Sequence, residues 1–392
     1  MSVTRADLHG DGLAVMVRPG TAAANAGHEG ENVMHRLSLH RAVLGGLAVA
    51  LAATPALAFD GWHIERAITI EGRTGAWDYV SLDPIQNRLY IGHRKDGLQV
   101  FDVDAGKMLQ TVRGTAEASS NGAILIPEFD LGVSTNENGT IIPFVMKTLE
   151  AREPLKLGEE LDTGHYDPFN KRLVMNMAPD KDGTDAIVLD VPTLSRVGVI
   201  RLPTKKMEGA DSDGAGGFYV AARDTSTVYR LDTAKLALTA TWPTPGCAQT
   251  NSLTIDRANK RIFLGCRGSD TVKPSFAVMN AEDGKIIFTA EIGGGNDGMA
   301  YDPELKRIFL ANGVGAVLNV FEQVSANVYR PVEALGTRSG MRTLAMHPRT
   351  KKLYAVAADG SADMGKKVLT AVSPFYANTF FPNSFTVVTI SK

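Results

Sequence analysis

Glu208, Asn251 and Asp297 could supply oxygen ligands to a calcium-like ion, because carboxylate and amide oxygens are what a hard divalent cation takes. Three are few, since calcium usually takes about six to eight oxygens. His93 and His165 offer imidazole nitrogens but sit in different parts of the chain. A lone histidine is more often a hydrogen-bonded structural residue. Cys247 and Cys266 are the two cysteines, 19 positions apart. A zinc site needs about four ligands at tighter spacing, so these two do not make one. In an oxidising compartment they are expected to form a disulfide; two free thiols or a redox pair are the alternative. No Ser-His-Asp order or nucleophile elbow occurs. Gly293-Gly294-Gly295 is a glycine turn rather than a phosphate loop, because no helix follows it. No catalytic residue is assigned, and the sequence favours binding over catalysis while leaving enzyme activity open.

The elements that would position these residues show in a repeat. Val80-Ser-Leu-Asp-Pro-Ile-Gln-Asn-Arg-Leu-Tyr-Ile-Gly92 matches Met299-Ala-Tyr-Asp-Pro-Glu-Leu-Lys-Arg-Ile-Phe-Leu-Ala311. Leu253 to Gly265 and Leu344 to Val356 follow the same pattern. Each copy is a short apolar strand, an Asp/His-Pro-type turn, a basic residue and a second apolar strand. Degenerate copies begin near Ile124, Gly164 and Ala210. The turn anchors Pro84, Pro127, Pro168, Gly214, Arg257, Pro303 and Pro348 are spaced by 43, 41, 46, 43, 46 and 45 residues. A period near 44 with about four short strands per unit is a propeller blade, and no sustained 3.6-residue period argues for helices. The predicted fold is all-β, a seven-bladed β-propeller with four antiparallel strands per blade. The last unit lacks a fourth strand and the first is preceded by a spare one, Ile64 to Ile70. Pairing that strand with the C-terminal segment Ser384–Lys392 would close the ring and protect both edges.

The propeller is expected over residues 59–392. Ahead of it, Met34 to Ala58 reads as a secretory signal. It has a basic n-region through Arg41, an apolar run from Ala42 to Ala53, and Ala56-Leu57-Ala58 as a cleavage site. An uncleaved anchor is the alternative, but the apolar run is short for a bilayer span. Residues 1–33 are Gly/Ala-rich and aperiodic, and read as a misassigned start or a disordered leader. The mature protein is expected in the periplasm or secreted, off the membrane and monomeric. The formal net charge is -2, and residues 1–58 carry four basic and four acidic side chains, so cleavage leaves it unchanged. That balance gives no general attraction to nucleic acid or anionic lipid.

The second strands carry a family resemblance. Leu89-Tyr90-Ile91-Gly92-His93, Gly132-Val133-Ser134-Thr135-Asn136, Phe218-Tyr219-Val220-Ala221-Ala222 and Ile308-Phe309-Leu310-Ala311-Asn312 resemble the Leu-Tyr-Val-Thr-Asn strand of YVTN-repeat, YncE-like propellers. The resemblance spans about residues 60–392, although most blades lack the Thr-Asn pair. It implies an extracytoplasmic binding or scaffold protein. Single-stranded DNA binding has been associated with such proteins, and the near-neutral charge here gives it little support.

In such a ring, the loops entering the inner strands and those joining strands two and three lie on one face, around the channel mouth. A concave mouth with converging polar groups is the default ligand site. The inner-strand entries are Asp78 (beside Trp77), Asn121, His165, Glu208, Asn251, Asp297 (beside Asn296) and Arg342. The second-strand ends are His93-Arg94, Asn136, Asn176, Arg223, Arg267 and Asn312. The expected occupant is a small ligand or a protein partner, with no cofactor. The other possibility is a divalent metal on Glu208, Asn251 and Asp297, which would make the chain similar to sugar-lactone hydrolase propellers and a metal-dependent hydrolase. A long insertion, 359–383, carries Phe375, Tyr376, Phe380 and Phe381 and is expected at the same face, as a partner surface or lid.

Overall fold

A computed structural model describes residues 60–73, 76–361, 363 and 379–392. The leader and signal readings, and Phe375 and Tyr376 of the insertion, lie outside the described residues.

Seven four-stranded antiparallel sheets make up the fold. Blade 1 holds Val80–Asp83, Arg88–Gly92, Leu98–Asp102 and Lys107–Thr111. Blade 2 runs from Ser120–Ile126 to Leu155–Lys156 and blade 3 from Leu161–Asp167 to Arg196–Leu202. Blades 4, 5 and 6 open with Met207–Ser212, Thr250–Asp256 and Asn296–Asp302. Blade 7 combines Leu344–Met346, Leu353–Ala357 and Thr386–Ser391 with the N-terminal strand His63–Thr69. That strand pairs with the C-terminal one from His63↔Ser391 to Thr69↔Thr386, which seals the ring.

Burial follows the order of strands. Middle strands such as Leu131–Asn136 and Phe218–Ala222 are buried throughout, because neighbouring blades cover both faces of each sheet. Outer strands such as Ile286–Glu291 alternate half-buried and exposed, the period-2 signature of a strand with one wet face. The core is divided into clusters between adjacent blades. Leu89, Ile91 and Phe101 of blade 1 meet Tyr354, Val356 and Val387 of blade 7. Phe309, Leu318 and Val320 of blade 6 meet Leu353, Ala355 and Val388 on the other side of blade 7. Each fully buried side chain of this size contributes about 2 kcal/mol.

The first hairpin turn of the blades explains the repeated Asp-Pro pattern. Asp302 Oδ1 accepts from the backbone N–H of Glu304 (2.9 Å) and Leu305 (2.7 Å). Asp83 does the same for Ile85, and Asp167 for Phe169. In blade 7 His347 Nδ1 accepts from Arg349 and Thr350, so an imidazole nitrogen replaces the carboxylate oxygen. These are local side-chain turns that satisfy the tight hairpin backbone.

Candidate functional site

At the other end of the inner strands the backbone is irregular. The pairing of first and second strands slips between Ser120 and Gly122, Leu161 and Gly164, Met207 and Ala210, Thr250 and Ser252, and Asn296 and Gly298. The unpaired residues include Asn121, Asp162, Glu208, Asn251 and Asp297. A β-bulge bends its strand and re-aims a side chain, and here it does so at one end of five successive blades. Small residues follow because the inner strands crowd together. A Cβ on Gly209 would stand 2.8 Å from Leu253 N, and one on Gly298 would stand 2.9 Å from Thr343 Cα. Blades 1 and 7 add Asp78 and Arg342 at the same level, with Thr343 Oγ1 donating to Asp78 O (2.9 Å).

The side chains link across blades. Arg342 reaches Asp78 Oδ1 (3.2 Å) and Asp297 Oδ2 (2.8 Å). Arg267 pairs with Asp297, whose Oδ1 also accepts from Asn251 Nδ2 (2.8 Å). Arg223 stands 2.8 Å from Glu208 Oε1 and 3.3 Å from Asn251 Oδ1. Lys206 donates to Asp162 (2.6 Å). Arg94 bridges Asp78, Asn121 and Glu137, the last at 2.7 Å. Tyr79 Oη meets Glu208 Oε2 at 3.5 Å, so blade 1 touches blade 4 across the ring.

These groups feel one another. Burial pushes the Asp78 carboxyl above the usual carboxylate range, against the pull of Arg342 and Arg94. Asp297 is equally buried, yet Arg267 and Arg342 overcome that cost and hold it below its ordinary value. Glu208 is raised to about 7, by burial first, with Arg223 and Lys206 opposing. Burial lowers His165 to about 4, and its Nε2 is enclosed without a hydrogen-bond partner. Two buried groups of opposite type thus have their titrations moved in opposite directions within one mouth.

The structure joins Asp78, Asn121, Glu208, Arg223, Asn251, Arg267, Asp297 and Arg342 into this network. Of the remaining four, His93 and Asn136 stay outside it, while Asn176 and His165 of blade 3 lie against Glu208 of blade 4. His93 is fully buried, bonded to Gln99 Oε1 (2.8 Å) and Arg73 O (2.6 Å) and stacked on Phe385 at 3.8 Å. Asn136 Nδ2 donates to Thr140 O (3.0 Å) inside its own hairpin. Asn176 Nδ2 donates to Glu208 O (3.2 Å). His165 lies three residues beyond the blade 3 bulge, where Asp162 takes the charged position. Tyr79, Asp162 and Lys206 were missed by sequence reading. The signal available was a polar residue followed directly by a small one, as in Asn121-Gly122, Glu208-Gly209, Asn251-Ser252 and Asp297-Gly298, or by Thr163-Gly164 after Asp162.

The oxygens of the candidate metal set are already engaged by cations, since Glu208 faces Arg223 and Asp297 faces Arg267 and Arg342. Asn251 turns its amide N–H₂, not its oxygen, to Asp297. Among the described residues no group of three His, Cys, Asp or Glu side chains could hold a metal ion. This donor set does not fit a divalent cation.

Cys247 and Cys266 are fully buried and bonded to each other, with Cα atoms 5.3 Å apart. In the insertion, Gly360–Ser361 pairs with Thr379–Phe380. Phe380 packs edge-on against Trp77 at 5.3 Å, while Phe381 is 49% exposed. A cleft of about 330 Å³ opens beside this contact, walled by Arg73, Trp77 and His93 to Asp96 with Ser119, Glu137 and Arg342.

No family model matches the chain. No curated protein matches it either. Among solved structures it is similar to a chain of the mitotic checkpoint complex, at 13% identity and a TM-score of 0.62, covering 81% of this chain and 96% of that one. It is similar also to a chain of the hydrazine synthase of Kuenenia stuttgartiensis, at 13% identity and a TM-score of 0.61, covering 78% and 98%. At such identity the likeness is one of fold, and what these chains share with this one is the propeller.

Proposed function

We propose that this chain is an extracytoplasmic binding propeller of the YVTN-repeat, YncE-like kind, exported through residues 34–58, whose ligand or partner docks at the channel mouth. One observation carries the reading: the seven blades each send a polar side chain to the same end of the ring. These are Asp78, Asn121, Asp162, Glu208, Asn251, Asp297 and Arg342. Five of them stand on bulges, so the strands give up regular pairing to present them. The buried disulfide is compatible with an oxidising compartment. A metal-dependent hydrolase has less support, because guanidinium groups already satisfy the carboxylates a metal would need.

The test is a thermal-shift screen of small polar molecules on the wild type and on Arg223→Gln. A ligand that binds only the folded state raises the melting temperature with its concentration. The expected result is at least one such ligand whose effect falls in the variant. Ligands that shift both proteins equally, or none at all, would overturn the mouth as the site. Export is checked separately, by an intact mass that begins at Phe59.

A further inference from the structure

We propose that the cavity between blades 4 and 5, on the face away from the mouth, binds a carboxylic acid with a bulky apolar body, and that Arg230 takes the carboxylate. It is a second site, independent of any ligand at the mouth.

The cavity opens because one inter-blade tie is missing. Asp167 and Asp256, the turn residues of blades 3 and 5, are met by the residue that follows the third strand of the next blade. These are Thr233 Oγ1 (2.6 Å) and Gln323 Nε2 (2.7 Å). The turn residue of blade 4 is Asp213, and the residue after the third strand of blade 5, Ser275–Asn280, is Ala281, which has no polar side chain. Ala281 and Gln323 hold equivalent places. Each donates its backbone N–H (3.0 Å) to a lysine carbonyl in the first hairpin turn of its own blade, Lys260 or Lys306. Asp213 turns back to its own hairpin, where Oδ1 accepts from the N–H of Ala215 (2.8 Å) and Gly217 (2.9 Å). Gly214-Ala215-Gly216-Gly217 leaves that turn without bulk. The space that results is about 650 Å³, well within the range of small-molecule pockets.

Ala240, Ile255 and Ala281 give it apolar wall, with the rings of Tyr219 and Trp242. Three cations line it, Arg230, Arg257 and Lys260, against Asp213 and Glu282. Arg257 is held by Asp211 Oδ1 (2.7 Å) and Ser212 O (2.8 Å), and Lys260 by Glu282 (2.6 Å). Arg230 forms no ion pair with any described residue. It is half-buried over the Tyr219 ring, 6.0 Å from the centroid. Its Nε donates to Tyr219 Oη and its Nη1 to Thr239 Oγ1, both at 3.3 Å. Arg230 Nη2 and the indole N–H of the half-buried Trp242 have no partner among the described residues, and neither is sealed from solvent. A guanidinium pinned in this way presents N–H groups already oriented for a carboxylate. Burial of the ligand's apolar body supplies the remaining attraction. Asp213 does not reverse the preference, because both its oxygens face donors, the second standing 3.4 Å from Tyr219 Oη.

The test is calorimetric titration of the purified protein at low ionic strength. Octanoate and 2-naphthoate are the full probes. Acetate carries the charge without the body, and 2-naphthalenemethanol the body without the charge. The wild type is compared with Arg230→Gln and with Ala281→Gln, which gives blade 5 the residue blade 6 uses for its tie. The expected result is saturable one-to-one binding of octanoate or 2-naphthoate, with no saturable binding of acetate. Affinity should fall about tenfold in Arg230→Gln and for the neutral alcohol, as loss of a charge-assisted contact implies. Binding should disappear in Ala281→Gln without a fall in melting temperature, so a folding defect cannot account for it. Octanoate is optically silent, so its binding should change tryptophan emission through Trp242, since Trp62 and Trp77 are each only 3% exposed. That change should vanish in Trp242→Phe. No saturable binding of either acid, equal affinity for the neutral alcohol, or binding unchanged in both glutamine variants would overturn the proposal. None of these outcomes touches the mouth, whose ligand is read through Arg223.

Discussion

The two faces of the ring use polar residues in opposite ways. On the face of the first hairpin turns, the polar side chain caps its own turn, and in blades 3, 5, 6 and 7 it also ties its blade to the next. Asp167 accepts from Ser212 Oγ (2.9 Å) and Thr233 Oγ1 (2.6 Å), joining blades 3 and 4. Asp256 accepts from Gln323 (2.7 Å) across blades 5 and 6, and Asp302 from Lys351 (2.8 Å) across blades 6 and 7. His347 meets Asn87 Oδ1 at 3.0 Å across blades 7 and 1. At the mouth the residue differs from blade to blade, the backbone bulges, and the charges join several blades at once. Repetition of one chemistry at one turn is what a ring needs to hold together. Variation at bulged positions is what a ring needs to recognise something.

The largest effect should therefore come from the uniform face. Asp167→Ala removes a buried carboxylate that four neighbours use: Phe169 N–H, Asn170, Ser212 and Thr233. Several buried donors then lose their acceptor, so the variant should be destabilised by about 4 kcal/mol in urea unfolding. Ligand binding at the mouth by the remaining folded protein should be unchanged. A loss below 1 kcal/mol would mean that the turns cap locally and do not lock blades together.

This division also explains what could be read in the sequence. The seven-blade count, the closing strand and the disulfide pair were legible because each depends on a repeated or local pattern: an Asp-Pro turn every 44 or so residues, an unmatched strand at each end, two cysteines on one hairpin. The mouth was only partly legible. The mouth residue stands six positions before the turn anchor in every blade, which in blade 3 is Asp162 rather than the His165 read as its strand entry. The same reading passed over Tyr79 and Lys206. The second-strand ends looked alike in sequence, yet Asn136 is consumed by hairpin backbone while Arg223 and Arg267 enter the network. Composition cannot separate these, because both are polar residues at a strand end.

A smaller and more diagnostic effect concerns pH. Glu208 titrates at about 7 in the folded chain against 4.5 as its ordinary value, so folding takes up a proton between those limits. Its contribution to stability is full below pH 4.5 and is lost as pH rises through 7. His165 is displaced the other way, to about 4 from 6.5. Its contribution is full above 6.5 and is lost as pH falls through 4. Each amounts to about 3 kcal/mol at full extent, and the two slopes oppose each other over nearly the same window. In the wild type these two contributions should therefore largely cancel from pH 4.5 to 6.5. Glu208→Gln should expose the histidine and lose stability toward acid, and His165→Gln should expose the glutamate and lose it toward neutral pH. Urea midpoints measured at five pH values would show this. Identical profiles in all three proteins would remove the electrostatic distinction between the mouth and the rest of the ring.

The smallest effect should come from a tie on the uniform face that water reaches. Blades 2 and 3 are joined there by Lys171 and Glu128 at 2.7 Å, with Tyr166 adding a hydrogen bond to the same carboxylate. Both charged side chains are about 40% exposed, unlike the enclosed Asp167. An exposed pair gains little over its hydrated components and is screened by salt. Lys171→Ala should cost less than 1 kcal/mol, and less still in 0.5 M salt, although it occupies the position in its blade that other blades fill with structural contacts. If it costs as much as Asp167→Ala, the strength of an inter-blade tie does not follow burial. The contrast between the two faces would then have to rest on geometry alone.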